Sequence, residues 1–367
     1  MPRKFKSALR VNDGVDQPEN INGNALFKHR KAKRKIFAPD EYLNGILSGN
    51  RTILSQAITL IESNLPGHQE IAQEVIEKCL GYAGNSVRIG ITGVPGAGKS
   101  TFIEALGNKL IGMKRKLAVL AIDPSSEYSK GSILGDKTRM EKLSAEINAY
   151  IRPSPSAGTL GGVARKTRET IVLCEAAGFD TILVETVGVG QSETAVHSMV
   201  DFFLLLMLAR AGDELQGVKR GIMEMADAVV ITKADGDNKN HATRAKAEYQ
   251  NALHLYPPTK SGWIPEVLIC SAKDGTGISH VWETIDKYCA FARANKFLEQ
   301  KRKNQSLYWM HETINDKLKD RFYQHSEINN QIEKYRKMVL DDKISSFIAA
   351  RQLLDEYFTN LKIKHKL

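Results

Sequence analysis

The sequence is poor in cysteine, and this shortage excludes two classes of protein. Its 367 residues include four cysteines, Cys79, Cys174, Cys270 and Cys289, which are far apart and stand in apolar segments. A disulfide scaffold or a structural zinc site would need clustered cysteines or a Cys-x-x-Cys pair, and the sequence has neither. We therefore expect reduced thiols in a core, as is typical of cytoplasmic proteins.

Long apolar runs are also missing. The longest, residues 202–209, has the length of a strand, whereas a helix that spans a bilayer needs about 20 apolar residues. The first part of the chain has no apolar segment and carries Asp13, Asp16 and Glu19, which argue against a secretory or organellar leader. We expect no membrane segment and a cytoplasmic location.

Acidic residues are outnumbered by basic ones, and the formal net charge is +10. Much of the basic excess lies in residues 28–35 (KHRKAKRK) and in the part from Lys296 onward. Neither part carries a helix-turn-helix or RNA-binding signature, so a solvated charge run explains the excess better than a nucleic-acid surface does. We therefore expect no nucleic-acid partner.

The strongest chemical signal that the sequence contains is a complete phosphate-binding loop. Residues 93–100, GVPGAGKS, follow an apolar β-branched run and match the pattern G-x-x-x-x-G-K-[ST]. Glycines let backbone N–H groups point at phosphate oxygens, the lysine supplies a positive charge, and the serine hydroxyl can bind Mg²⁺. The predicted phosphate contacts are Gly93, Val94, Pro95, Gly96, Ala97, Gly98, Lys99, Ser100 and Thr101. The stretch predicts a nucleoside-triphosphate site.

Strand and helix signals alternate over residues 87–290, which predicts an α/β fold with a mostly parallel sheet covered by helices on both faces. The strands expected after the first one are residues 117–122, 147–151, 180–184, 202–208, 229–232 and 266–270. Polar motifs follow the ends of these strands, where open α/β sheets bind their ligands.

The segments on either side of this nucleotide domain have no strand signals. Residues 1–37 are predicted to be a basic mobile arm, and residues 38–86 a helical cap in which Pro66-Gly67 breaks the pattern between two helices. Residues 291–367 are predicted to form a charged helical arm. Apolar residues recur along it at helical spacing, among them Leu307, Met310, Ile314 and Leu318. An arm too extended to bury both faces suggests pairing with another chain or packing across the cap.

Two motifs after later strands indicate which base is bound. Asp235, in the run Thr232-Lys233-Ala234-Asp235, can accept two hydrogen bonds from N1–H and the N2 amino group of guanine, which adenine does not offer in that arrangement. The stem of Lys233 can lie over the base. The second motif, Ser271-Ala272-Lys273, supplies backbone N–H groups toward the guanine oxygen. The pair predicts bound GTP or GDP.

Mg²⁺ needs oxygen ligands near the terminal phosphates. The candidates are Ser100, Asp123, Asp136 and Glu185. Asp123 and Glu185 each follow or end a buried strand, where a charge is costly without a cation, although a helix N-cap is the alternative for either one.

The candidate catalytic residues come from the same segments of the sequence as the candidate Mg²⁺ ligands. We assign Lys99, Asp123, Glu185 and Gln191 as the catalytic candidates. Gly188 can sense the γ-phosphate through its N–H, and Gln191 or Glu193 can orient the attacking water, the alternative being an ordinary polar loop. None of them stands where a Ras-like glutamine would, so we expect slow hydrolysis until a partner contributes.

Seven blocks together resemble the MeaB/ArgK family of methylmalonyl-CoA mutase-associated GTPases: GITGVPGAGKST, VLAIDPSS, GSILGDKTRM, VETVGVGQSE, GDELQGVKRGI, TKADGD and SAKDGTGI. The resemblance extends over about residues 40–290. It implies a P-loop fold of the signal-recognition/MinD-like class and a homodimer formed through the C-terminal arm. It also implies a chaperone role for an adenosylcobalamin-dependent acyl-CoA mutase, with GTP hydrolysis gating cofactor loading.

The resemblance also implies roles for particular residues. Asp123, Asp136 and Glu185 look like the family's Mg²⁺ and switch carboxylates. A third mobile segment, implicated in partner signalling, would contain Asp213, Glu214, Gln216 and Lys219. Two departures from the family pattern are Ala209-Arg210-Ala211, before that segment, and Thr232, where many GTPases have asparagine.

Three other functions compete with this interpretation. One is an ATPase or kinase linked to lysine, arginine and ornithine transport proteins, which Asp235 and the lack of a kinase His-Arg-Asp motif argue against. A metal-insertion GTPase would need a Cys/His cluster that the nine histidines do not form in sequence. A plain interaction module with a vestigial site is disfavoured because every expected chemical position is filled.

Overall fold

A sheet of seven parallel strands forms the centre of the structure, a computed structural model that describes residues 36–122, 140–153, 160–186, 192–209 and 220–364. The strands are β1 (Val87–Gly93), β2 (Leu117–Ile122), β3 (Ala149–Arg152), β4 (Thr181–Thr186), β5 (Phe202–Leu208), β6 (Ala228–Thr232) and β7 (Glu266–Ile269). They lie in the order β3-β2-β4-β1-β5-β6-β7, and every neighbouring pair is parallel. The predicted α/β fold is confirmed.

The helices precede, connect and follow these strands. They are α1 (Pro39–Leu47), α2 (Arg51–Glu62), α3 (Pro66–Cys79), α4 (Lys99–Gly112), α5 (Glu141–Ala145), α6 (Leu160–Ala176), α7 (Ser192–His197), α8 (Arg220–Met225), α9 (Lys239–Leu253), α10 (Ile278–Ala294), α11 (Phe297–Gln324), α12 (Ser326–Leu340) and α13 (Ser346–Lys364). Within the described ranges, none of them is long and apolar enough to cross a bilayer. Contacts divide the chain into Met1–Ala38, described only over residues 36–38, and Pro39–Leu367.

The path of the chain across the sheet places the helices on two faces. After β1 the chain moves through β2 to β3 on one side, and then returns through β4 to β5, β6 and β7. Because crossovers between parallel strands are right-handed, α4 lies on one face and α6 to α9 lie on the other. Helix α10 packs against α4, and the helices α2 and α3 pack against α6. The connections diverge at β1, which is where open α/β sheets bind ligands.

Four predicted strands have different bounds in the structure, and two of them, expected at residues 229–232 and 266–270, differ by a single residue at one end. The strand expected at residues 147–151 begins at Ala149, and Ile147 before it is 82% exposed. The strand expected at residues 180–184 continues through Glu185 and Thr186, because both residues pair with β2. Apolar patterning finds the centre of a strand better than its ends, since the ladder continues wherever a neighbour offers partners.

Pro66 begins a helix, whereas the sequence pattern suggested that it only breaks one. Helix α3 starts at Pro66 itself, at the point that the sequence pattern assigned to a break between two helices. Proline is favourable at the first helical position because its missing N–H would have no partner there and its φ suits the helix.

The four cysteines are buried and unpaired. Burial raises the pKa of Cys79 to about 11 and the pKa of Cys270 to about 12. Thiolates are therefore strongly disfavoured at neutral pH, and both thiols behave as small apolar groups. The expectation that the cysteines lie in the core is confirmed.

A cluster of buried ion pairs lies at the amino-terminal edge of the sheet. Arg88, in β1, donates to the two carboxylate oxygens of Glu175 at 2.8 and 2.9 Å. Arg302, in α11, donates to the two oxygens of Asp201 at 2.8 and 2.6 Å and to the carbonyl of Ser86 at 2.6 Å. The backbone N–H of Arg88 also donates to Asp201 at 2.9 Å. These contacts attach α11 to the ends of β1 and β5.

The charges in this cluster stabilise one another. Burial alone would raise the pKa of Glu175, but the hydrogen bonds and charge of Arg88 outweigh it, and the pKa lies below its usual value. The pKa of Asp201 is lowered against the same burial effect by Arg302 and then by Arg88. Both carboxylates are therefore ionised at neutral pH, and breaking either pair would leave an uncompensated buried charge.

We expect Glu175→Gln to lower the free energy of unfolding by about 3–5 kcal/mol at pH 7, because it leaves the buried Arg88 without its counter-charge. Urea unfolding measures the loss. Since the folded-state pKa is depressed, this stabilisation exists above the unfolded pKa of about 4.3 and is lost as the pH falls, so the difference between variant and wild type should shrink in acid.

Glu299→Gln is the matched control, because Glu299 pairs with Lys303 on the solvent-exposed side of α11. Its free energy of unfolding should equal that of the wild type. Equal losses in the two variants would contradict the importance of the buried pair.

Candidate nucleotide-binding site

The phosphate-binding loop joins β1 to α4 and depends on two glycines. A Cβ on Gly93 would lie 2.3 Å from the carbonyl oxygen of Leu206 in β5, so no other residue fits there. Gly98 has a φ of +80° and stands directly before the first residue of α4. The backbone therefore turns sharply from the end of the strand into the N-terminus of a helix, which favours anions.

Lys99 lies folded over this loop. Its Nζ donates to the carbonyl of Gly93 at 2.9 Å and to that of Val94 at 3.4 Å. Burial lowers the pKa of this ammonium, and the nearby charges of Glu185 and Glu193 oppose the shift. A partly desolvated cation beside the loop amides is well placed to contact a phosphate oxygen.

A hydroxyl and a carboxylate face each other next to Lys99. Ser100 Oγ donates to Glu185 Oε1 at 3.2 Å. Glu185 is buried in β4, where it pairs with Ile91 of β1 and Ala121 of β2. Hard oxygen donors of this kind are what Mg²⁺ binds, and phosphate oxygens would complete its coordination. The ranges that the structure describes contain no group of three or more His, Cys, Asp or Glu side chains suited to a metal.

The predicted base-binding motif is tied to the phosphate loop by a side chain. Thr232, at the end of β6, donates its hydroxyl to the carbonyl of Ala97 at 2.7 Å and is also 3.1 Å from the carbonyl of Met207. The threonine that stands where many GTPases have asparagine therefore fixes the loop relative to the strand that leads to Asp235.

Asp235 is oriented by the second motif. Ser271 Oγ donates to Asp235 Oδ2 at 2.8 Å, and the N–H of Ser271 donates to the carbonyl of Thr276 at 2.9 Å. The serine thus acts on Asp235 through its hydroxyl. The backbone contact from this motif to the guanine oxygen stays a prediction. An open pocket of about 260 Å³ lies here, lined by Ala97, Gly98, Thr101, Phe102, Thr232, Lys233, Asp235, Ala272 and Lys273.

Several predicted residues lie outside the described part of the chain. They are Asp123, Asp136, Gly188 and Gln191, together with Asp213, Glu214, Gln216 and Lys219. Their roles stay predictions. Of the predicted residues that are described, Lys99, Ser100 and Glu185 lie together beside the loop, while Thr232, Lys233, Asp235, Ala272 and Lys273 line the adjoining pocket.

One pair of residues at the site was not found from the sequence. Thr186 donates its hydroxyl to Thr92 at 2.9 Å, and both residues are buried at the ends of β4 and β1. The pair holds the strand of Glu185 against the strand that leads into the loop. A threonine near the end of each of two otherwise apolar strands, VRIGITG and TILVET, was the available signal.

The architecture defines the class of protein. A parallel α/β sheet whose first strand leads into a phosphate loop, with Asp235 and Ser271 after the later strands, is that of a P-loop GTPase. Comparisons with known proteins reach the same class and a narrower one.

Residues 54–327 match the family described as Methylmalonyl Co-A mutase-associated GTPase MeaB. A protein of Mycobacterium tuberculosis named as a probable GTPase is 47% identical over 316 residues, which cover 86% of this chain and 94% of that protein. The "Methylmalonic aciduria type A homolog, mitochondrial" of Mus musculus is 47% identical over 328 residues, which cover 87% of this chain and 79% of that protein.

A solved structure described as a "LAO/AO transport system kinase" is 36% identical, with a TM-score of 0.69, over 89% of this chain and all of that one. The chain belongs to the MeaB family of methylmalonyl-CoA mutase-associated GTPases, and the resemblance seen in the sequence is confirmed. GTP hydrolysis is the activity that the names of its homologues state.

We expect Asp235→Asn to weaken GDP binding about 10- to 100-fold, because it removes a charge-assisted pair of hydrogen bonds to guanine. Xanthine carries a carbonyl where guanine has its amino group, so the asparagine amide should improve binding of xanthosine diphosphate. Calorimetry with both nucleotides measures the change. Asp237→Asn, two residues on in an exposed turn, is the control and should leave both affinities as they are. An unaltered base preference in Asp235→Asn would contradict the assignment of the pocket.

Proposed function

We propose that this chain is a Mg²⁺-dependent GTPase that loads and protects an adenosylcobalamin-dependent acyl-CoA mutase of the methylmalonyl-CoA type. The family name supports the link to such a mutase. The observation that carries the GTP part is the hydrogen bond from Thr232 to Ala97, which joins the base pocket and the phosphate loop into one continuous site. A site built this way suits one ligand with a guanine end and a phosphate end.

The residues divide the chemistry among them. Loop amides and Lys99 would hold the β- and γ-phosphates, and Asp235 would hold guanine. Ser100 and Glu185, with Asp123 and Asp136 as further predicted ligands, would bind Mg²⁺, which neutralises charge on the phosphates when bound. Gln191 is the predicted residue for orienting water. Because neither Gln191 nor Glu193 stands where a Ras-like glutamine would in the sequence, we propose that the rate depends on the partner.

A role linked to amino-acid transport remains the alternative, since the similar solved structure is described as a transport system kinase. That role would use ATP, whose adenine lacks the N1–H and N2 amino donors that Asp235 is proposed to bind. Comparing the affinities for ATP and GTP separates the two. We place the activity in the cytoplasm, where the unpaired buried thiols would stay reduced.

The experiment that tests the mutase link compares GTP hydrolysis with and without purified methylmalonyl-CoA mutase lacking its cofactor. We expect the rate to rise more than about tenfold on addition of the mutase, because the partner completes the transition-state contacts. Lys99→Ala is the control: it should lose nucleotide binding and show no stimulation. An unchanged rate, with no complex formed in any nucleotide state, would contradict the mutase partner while leaving the GTPase class intact.

We further propose that the chain is a homodimer formed through α11. Leu307, Met310, Ile314 and Leu318 recur at helical spacing and are between 47% and 57% exposed. At about 3.6 residues per turn they lie on the face of α11 opposite Gln305 and Trp309, which are buried against the sheet domain. The cap does not cover this stripe within the described ranges, so a second copy of the same stripe is the proposed occupant.

Ile314→Glu should therefore convert a dimer to a monomer, because it places a charge in the middle of the apolar contact. Light scattering reads the mass, which is 40.8 kDa for one chain. Asn315→Glu adds the same charge one position along the helix and should keep the dimer. A monomeric wild type, or a dimeric Ile314→Glu, would contradict this interface.

A further inference from the structure

Helix α11 and the nucleotide site lie at opposite edges of the sheet. The phosphate loop, Glu185 and Thr232 stand at the carboxyl ends of their strands. By contrast, Arg302 of α11 contacts Ser86 and Asp201, which directly precede β1 and β5. Any effect of the nucleotide on the C-terminal helices therefore has to cross the full height of the sheet.

Helix α7, together with the turn at residues 198–200 that follows it, makes that crossing between β4, whose end carries Glu185, and the amino end of β5. Its second residue, Glu193, has no exposed surface and lies close enough to Lys99 to act on the charge of that ammonium. Its last residue, His197, packs edge-on against Phe203 near the opposite edge, with ring centres 5.5 Å apart. The helix and the turn after it thus connect the neighbourhood of the phosphate-binding lysine with the start of β5 at the opposite edge.

Nothing separates α7 from the central strand. A Cβ placed on Gly90 of β1 would lie 2.7 Å from Val196 Cγ1 and 3.0 Å from Val200 Cγ2. The helix and the turn after it therefore pack directly on the backbone of the strand that leads into the phosphate loop. Because no space is left between the helix, the turn and the strand, a displacement of α7 has to move the turn at residues 198–200 as well.

Helix α11 is attached to that same turn by two side chains. Gln305 Nε2 donates to the carbonyl of Val200 at 2.8 Å, and Trp309 Nε1 donates to the carbonyl of Ser198 at 3.1 Å. Both side chains are more than nine-tenths buried. Within the described residues, Gln305 Oε1 is buried without a hydrogen-bond partner, so the amide is only half satisfied in this conformation.

One turn before these contacts, α11 is fixed to the sheet itself. Arg302 pairs with Asp201, and Lys301 Nζ donates to the carbonyl of Asp201 at 2.6 Å. Helix α11 is therefore held firmly near its start and rests on the turn after α7 over the next two turns. When a long helix is fixed near its start and rests on a second contact, a small displacement of that contact causes a larger displacement at the distal end of the helix.

We infer that Gln305 and Trp309 transmit the nucleotide state from α7 to the C-terminal helices. Both are positioning residues that touch neither nucleotide nor metal. The inference rests on the proposed function only in requiring that GTP and GDP bind at the site described. Its content is separate: the orientation of α11 beyond residue 309 depends on which nucleotide is bound, through these two hydrogen bonds.

The test is hydrogen exchange on the full chain with Mg²⁺ and either GDP or a non-hydrolysable GTP analogue. In the wild type we expect residues 310–324 of α11 to exchange at different rates in the two states. Trp309→Phe and Gln305→Met keep the apolar body of each side chain and remove its donors, and together they should abolish that difference. Trp263→Phe is the matched control, because it removes an indole donor to the carbonyl of Asp227, away from α7.

The possible results are separable. A merely structural contact would make α11 exchange faster in both states while leaving the difference between them, and this would overturn the inference. No nucleotide-dependent difference in the wild type, or loss of the difference in Trp263→Phe as well, would overturn it too.

Nucleotide affinity is measured on the same samples: no binding at all would refute the proposed function, whereas binding without transmission refutes the relay alone. If the double variant does not fold, Trp309→Phe by itself decides.

Discussion

The close approach of β1 to β5 at the start of the phosphate loop is the constraint on which the rest of the structure depends. Because a Cβ on Gly93 would collide with the carbonyl of Leu206, the loop can leave the sheet only where these two strands are in register. That point is also where the chain's connections diverge to the two faces of the sheet. The positions of Lys99, Ser100 and Glu185 follow from it, and Thr232 extends the same frame to the base pocket.

At the opposite edge of the sheet, buried ion pairs hold the structure together. Buried carboxylates at Glu175 and Asp201 are ionised because Arg88 and Arg302 face them, and Arg302 comes from a helix more than a hundred residues further along the chain. Such pairs add little net stability compared with apolar packing, but they allow only one placement of the helix. The structure therefore combines a ligand site at one edge with a firmly attached helix at the other, and α7 lies between them.

Particular residues show what could be predicted from the sequence. The motif at residues 93–100 was sufficient to place the phosphate loop between a strand and a helix, and apolar runs located every strand of the sheet to within a few residues. The task of Thr232 was not predictable, since the carbonyl that it binds lies 135 residues away. Pro66 was interpreted as a break because its neighbours in sequence do not reveal whether a helix starts or stops there.

The sequence alone determined the class of fold and the identity of the chemical groups, because periodicity, loop motifs and strand-end residues act over short stretches and follow local backbone geometry. Only the tertiary structure decided which of those groups meet. The pairing of Ser271 with Asp235, of Thr186 with Thr92, and of Trp309 with the carbonyl of Ser198 each joins segments distant in the chain. Such contacts depend on how the strands are ordered and how the helices cross them, and no local pattern of residues specifies that order.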